Sequence, residues 1–241
     1  MYVMKNTVLL NSVLLLLALT VLNGCRTDQK KDPKPEAETE VAPSVDPVTI
    51  FENDYVHVVT VTLDPGAELT SHEGGRRLIY SLSDYTIDWE EGGTDLGTKQ
   101  WKRGEVHAHE PGKHGAKNTG DSTAEWIAFE RKTSDLPDCG DLSLEKDVSS
   151  VSGDAAEILF DDENFRMTEI TLNPGDSLPM HEGINRVIYA LSDYQIRYWS
   201  DDSEAAEKTF TKGDAHWHEA CQHAMENSGE SPARFLVVAF K

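Results

Sequence analysis

Cysteine is scarce, with three in 241 residues, too few for a disulfide framework. Cations are scarce as well: 22 lysines and arginines face 43 acids, for a formal net charge of −21. Nucleic acid and anionic lipid surfaces both need a basic patch for counterion release, so this balance argues against either as a direct partner. It reads as a heavily solvated acidic surface. The longest apolar stretch, Val8 to Leu22, is broken by Asn11 and Ser12 and falls short of a spanning helix. Beyond it no segment keeps a 3.6-residue hydrophobic period. A nucleophile-plus-base pattern, a phosphate-cradling glycine loop and a nucleotide fingerprint are also missing.

What is present is a repeat. Gly104 to Asn118, GEVHAHEPGKHGAKN, returns 109 residues later at Gly213 to Asn227 as GDAHWHEACQHAMEN. The same offset runs without a gap from Phe51 and Phe160 to the C-terminus, with roughly a third of the paired positions identical. Eight of the nine histidines form four pairs at this spacing: His72/His181, His107/His216, His109/His218 and His114/His223. A repeat of this length predicts two modules with a core each.

At the N-terminus, Lys5 and the apolar stretch lead to Leu22-Asn23-Gly24-Cys25, which resembles the lipobox of bacterial lipoproteins. That resemblance implies cleavage before Cys25 and a lipid on it, and hence a membrane-anchored, exported protein. Residues 26–47 are charged and proline-rich, with few large apolar side chains, and read as a tether. Strand signals begin at Thr49, with β-branched runs closed by Asp64-Pro65-Gly66 and Asn173-Pro174-Gly175. Many short strands with Gly, Pro and Asp turns predict an all-β sandwich or barrel. The expected layout is a signal over 1–25, the tether over 26–47, modules over 48–133 and 157–241, and a linker over 134–156.

The spacing of these motifs resembles that of the cupin superfamily, and the whole chain resembles a bicupin. Gly66-AELTS-His72 and Gly175-DSLPM-His181 match the opening of the first cupin motif, and Tyr80-Ser81-Leu82 and Tyr189-Ala190-Leu191 match its strand. Gly104…His114…Asn118 and Gly213…His223…Asn227 match the second motif. The resemblance implies two tandem jelly-roll barrels. It also implies a metal held by two histidines and a glutamate of the first motif and a histidine of the second. This chain departs from that set: Gly74 and Gly183 stand at the second histidine position, and Arg77 and Arg186 at the glutamate.

His107 and His109, like His216 and His218, leave one face of a strand. If that face points inward, they join His72 and His114, or His181 and His223, at one divalent transition metal (Zn, Fe, Ni, Mn or Cu). Glu73 and Glu182 are alternative oxygen donors, and Glu110 and Glu219 are candidates to orient an imidazole. An outward face would leave the histidines structural. Arg77 and Arg186 disfavour a cation and suit a carboxylate, which makes them, with Glu73 and Glu182, candidate substrate contacts. Paired Tyr80/Tyr189 and Tyr85/Tyr194 read as packing, and Trp217 as packing behind the histidine face. A disulfide between Cys139 and Cys221 is permitted in an exported protein. Three functions stay open: a metal-dependent dioxygenase, isomerase or lyase; a ligand-binding lipoprotein without chemistry; and a structural bicupin. The expected partners are a small molecule and, through Cys25, a membrane, with the chain a monomer or weak homodimer.

Overall fold

The structure is a computed structural model that describes residues 43–200 and 203–241. The signal, Cys25 and most of the tether lie outside the described residues. In chain order the first module contains β1 (Ser44–Val45), β2 (Val48–Glu52), β3 (Val56–Leu63), β4 (Glu68–Gly74) and β5 (Arg76–Ser81). It continues with β6 (Tyr85–Glu91), β7 (Thr94–Trp101), β8 (Val106–His109), β9 (Gly112–Asn118) and β10 (Ala124–Arg131). Two sheets result, in the orders β1-β4-β9-β6-β7 and β2-β3-β10-β5-β8.

The second module repeats the plan with β11 (Ala156–Asp161), β12 (Phe165–Leu172), β13 (Ser177–Gly183), β14 (Arg186–Ala190) and β15 (Tyr194–Ser200). Then follow β16 (Ser203–Phe210), β17 (Ala215–His218), β18 (Cys221–Asn227) and β19 (Ala233–Phe240). Its sheets run β11-β12-β19-β14-β17 and β13-β18-β15-β16. The all-β, two-barrel expectation holds.

Two boundaries shift. The end of the expected tether is already strand: β1 pairs in parallel with β4, and Glu68 donates its N–H to Pro43 at 3.0 Å. The expected linker also folds, into a 3-10 turn at Leu144–Lys146 and a short helix α1 (Val148–Val151) capped by Asp147. Val148 joins the second barrel's core and α1 packs on β13, where β1 lies on β4 in the first. The tether end is held by backbone pairing and the linker by buried Val148 and by bonds to Glu182 and Arg166, and neither carries a periodicity that a sequence reading can find.

The two modules form one compact unit, because their facing strands are buried on both sides. Val56 and Val58, Leu78 and Tyr80, and Ile127 and Phe129 pack against Phe165, Met167, Val187, Tyr189, Leu236 and Val238 of the other module. The alternate residues, Val61, Leu63, Ile79, Trp126 and Ala128, fill the first barrel. Period-two alternation thus serves two cores at once, so these strands read as nearly continuous apolar runs. Trp217, stacked on Tyr55 at 5.6 Å and beside Phe240, packs at the shared core as expected. Tyr80 and Tyr189 also lie in this core, and Tyr85 and Tyr194 lie in the barrel interiors.

The repeated asparagine closes the same turn in each copy. Asn118 Nδ2 donates to the carbonyls of Leu63 and Ser122 at 2.7 and 2.8 Å, and Asn227 makes the equivalent bonds to Leu172 and Ser231. That role is architectural. It explains the retention of both asparagines without any ligand.

Candidate functional site

The alternation on β5 and β14 also fixes where the arginines go. Leu78 and Tyr80 face the shared core, so Arg77 and Ile79 face the barrel interior, and Arg186 and Ile188 do likewise. Both arginines are 2% exposed. On the neighbouring strand His109 lies opposite Arg77 and His107 opposite Ile79. Residues paired across a ladder share a face, so the His-x-His face points inward. His218 and His216 take the same places opposite Arg186 and Ile188.

On the other sheet β4 and β9 bring His72 opposite His114, with ring centroids 4.2 Å apart, and His181 and His223 repeat that distance. In His72 and His181 the Nδ1 atom meets the carbonyl two residues earlier, at 2.9 and 2.8 Å.

The structure brings the four histidines of each copy into one column of two touching pairs, with an aromatic ring between the pairs. In the first barrel Trp101 stacks on His107 at 3.7 Å, and His107 meets His109 edge-on at 4.9 Å. Trp89 then lies 4.7 Å from His109 and 5.5 Å from His114. The second barrel repeats the column with Phe210, His216, His218, Tyr198, His223 and His181. Trp89 and Tyr198 thus stand between the His-x-His pair and the motif pair. The sequence reading missed them, although aromatic identity at positions 89 and 198 was a visible signal.

Burial is the leading cause that lowers His107, His109, His114, His216, His218 and His223. Burial first and then Arg77 lower His107 to about 4 and His114 to about 4. His109 falls to about 3 through burial, His107 and Arg77. In the second barrel burial leads again, with His216 at about 4, His218 at about 3 and His223 at about 2. Arg77 is itself lowered by burial, against the pull of Glu130 and Glu91.

The arginines occupy the room that the resemblance assigns to metal ligands. A Cβ on Gly74 would meet His114 Cε1 at 2.6 Å and Arg77 Nη1 at 3.1 Å, and one on Gly183 would meet Arg186 Nη1 at 2.6 Å. Among the described residues no group of three or more His, Cys, Asp or Glu is arranged to hold a metal ion. A divalent ion beside a fixed guanidinium also meets repulsion on the order of several kcal/mol, even at the effective dielectric of a partly wet site. The residues present do not fit the four-ligand set.

The carboxylates go elsewhere. Glu73 is exposed. Glu182 is turned onto the linker, accepting from Ser143 N at 2.9 Å and Lys146 Nζ at 3.0 Å. Glu73 is thus turned to solvent, and Glu182, its carboxylate bonded to the linker, also lines the second cavity. Glu110 pairs with Arg76, and Glu219 is exposed. Cys139 and Cys221 are both free thiols, so the permitted disulfide is not formed. Cys139 Sγ accepts from Asn185, whereas Cys221 Sγ lies in the second barrel beside Arg186.

Each barrel encloses a cavity of about 40 Å³ at the arginine. In the first the walls are Val59, Val61, Leu69, Ile79, Trp89 and Trp126, with Arg77, His72 and His114 as the polar part and Glu130 beside them. Leu144, Asp147 and Val148 of the linker help close the second.

No family model and no curated protein sequence matches the chain. Solved structures do. AerE from Microcystis aeruginosa superposes with a TM-score of 0.57 at 16% identity, over 81% of this chain and 97% of its own. Oxalate decarboxylase from Bacillus subtilis, described for its Mn(II) centres, gives 0.58 at 14% identity, over 80% of this chain and 71% of its own. A cupin 2 conserved barrel domain protein from Leptotrichia buccalis gives 0.49 at 16% identity. With the two matched sheet pairs, the likenesses to AerE and to oxalate decarboxylase show the fold, two tandem barrels of the cupin type.

Proposed function

We propose that the chain is an exported, lipid-anchored bicupin that binds a small organic carboxylate inside its barrel through a buried arginine and neutral histidines. One observation carries this reading. Arg77 is 2% exposed, yet its Nε and Nη2 meet no hydrogen-bond partner. Glu130 and Glu91 act on the guanidinium through charge without meeting these two donors, and a buried donor left unsatisfied points to a missing acceptor. A carboxylate supplies both the charge and two acceptors in the planar geometry of the fork. The neutral histidines around it add hydrogen bonds without competing for the anion.

Binding is the function this site supports best, since among the described residues the four-ligand metal set is not assembled. Export and anchoring rest on Met1 to Cys25 and on a tether that sets the barrels off a membrane surface. Incorporation of labelled palmitate that disappears in Cys25→Ser tests the anchor.

The site is tested by calorimetric titration of the full chain with a panel of short organic acids, beside elemental analysis of the same preparation. Saturable binding of a carboxylate, without retained metal, is the expected result. A near-stoichiometric transition metal that is lost in His72→Ala/His181→Ala would overturn the reading in favour of a metal centre.

A further inference from the structure

The two arginines are equivalent in sequence and in strand position, but their hydrogen bonds differ. Arg77 Nη1 donates to Gly75 O at 3.1 Å and Glu110 O at 3.4 Å, while Nε and Nη2 are unpartnered. Arg186 Nη1 makes the same two backbone bonds, to Ile184 O and Glu219 O at 3.0 and 3.2 Å. Its Nη2, however, donates to Cys221 Sγ at 3.3 Å and touches the His223 ring. We infer that the carboxylate site is confined to the N-terminal barrel, and that Cys221 fills the corresponding place in the C-terminal barrel from within.

Position 112 carries the difference. Gly112 is the repeat partner of Cys221, and a Cβ built on it would find nothing within 4 Å. The first barrel therefore has open space where the second has a sulfur. On the outside of position 112 lies an open groove of about 550 Å³ lined by Gly112, His109, Glu91 and Pro111. His109 Nε2 and His107 Nδ1 are also buried without a partner, whereas the unpartnered buried atoms of the second module, on Asn164, Arg166, Asn185 and Trp217, include none on its repeated arginine or histidines. In the second, the linker closes the cavity with Leu144 and Val148, held down by Glu182.

Charge qualifies the contrast without reversing it. Glu130 faces Arg77 across the ladder, where the second barrel has Ala239. The Glu130 carboxylate accepts the N–H of Gly75 at 2.7 Å and leaves the arginine's donors unmet. Glu130 offsets part of the cationic charge, so a single carboxylate is the anion that fits, and a dianion is not.

The ligand's shape follows from the same atoms. Nε–H and Nη2–H of a guanidinium point the same way and form its side-on fork, which takes both oxygens of one carboxylate. Beyond it the cavity is apolar, and about 40 Å³ admits the centres of only a few heavy atoms. The predicted class is a short monocarboxylate with an apolar tail.

This inference rests on the carboxylate reading, and the experiment separates the two. Sodium propionate is titrated calorimetrically into the full chain, with propionamide as the uncharged isostere. One propionate per chain is expected, with propionamide at least tenfold weaker. Arg77→Met should abolish binding and Arg77→Lys, which keeps the charge but loses the fork, should weaken it about tenfold. Folding of each variant is checked by near-ultraviolet circular dichroism. Cys221→Gly should raise the stoichiometry to two. Two propionates per wild-type chain, or one that survives Arg77→Met, would overturn the confinement and leave the carboxylate reading standing. An unchanged stoichiometry of one in Cys221→Gly would remove Cys221 from the explanation. No binding of propionate by any folded form, or equal binding of propionamide, would overturn the carboxylate reading itself.

Discussion

Gly183 and Arg186 share one volume: a Cβ on the glycine would stand 2.6 Å from Nη1 and 2.7 Å from Cζ of the arginine. The two departures from the cupin metal pattern are therefore a single structural change. The arginine fills the space that a side chain at position 183 would need. Gly183→Ala should cost about 1–3 kcal/mol of stability, the usual range for overpacking, read as a lower urea midpoint. Shortening the intruding partner in Gly183→Ala/Arg186→Ala should recover part of that loss relative to the sum of the single variants. Strict additivity would show that the two side chains do not compete.

Acid should destabilise the fold well before the carboxylates titrate. Burial lowers His107 and His216 from 6.5 to about 4, and His109 and His218 to about 3. Their folded values lie below the unfolded ones, so between those limits the unfolded chain binds more protons. The stability they contribute is complete above about pH 6.5 and is lost as pH falls through the folded values. Each contributes a slope of up to about 1.4 kcal/mol per pH unit in that window. Urea midpoints measured from pH 7.5 to 5 should fall steadily, and His107→Phe/His216→Phe should flatten the curve. A flat wild-type profile over this range would mean that the rings are hydrated.

The architecture was legible because it was written twice. The 109-residue offset, the β-branched runs and the Pro-Gly turns are all local or periodic signals, and they gave both barrels and the placing of the histidines on strands. The inward His-x-His face was left open in the sequence because one face of a strand cannot be told from the other when both are buried. Residues such as Val58 and Val59 look alike in the sequence, although Val58 faces the other module and Val59 lies against the first barrel's interior. What the sequence hid most was the relation across strands. Trp89 between His109 and His114, Arg77 against the gap left by Gly74, and Glu182 on the linker each join distant positions, and no spacing rule reaches them.

The shared core makes a second kind of prediction. Phe129 is fully buried and meets Tyr189 of the other module edge-to-face, with centroids 6.3 Å apart. Phe129→Ala should cost about 3–5 kcal/mol. The loss should lower the stability of both barrels together, since each loses packing from the same layer. Tryptophan fluorescence of variants that keep only the tryptophans of one module (Trp89, Trp101 and Trp126, or Trp199 and Trp217) should report coincident urea transitions before and after the change. Transitions that separate already in the wild type would show two independently folding modules.

The linker should be tied down by Glu182 more than by its own helix, since four residues of α1 cannot hold a helix alone. Glu182 accepts the Ser143 N–H and Lys146 Nζ, and Asp147 bonds Arg166 Nη1 at 2.9 Å, so two acids fasten the segment at either end of its first turn. Val148 then enters the core. In Glu182→Ala, amide exchange over residues 143–151 should rise at least tenfold, with β14 and β19 unchanged. Glu73→Ala, at the exposed repeat position, should change no amide comparably. If exchange at 143–151 stays at the wild-type rate in Glu182→Ala, burial of Val148 and the Asp147–Arg166 pair suffice to hold the linker. Glu182 would then owe its place only to copying of the repeat.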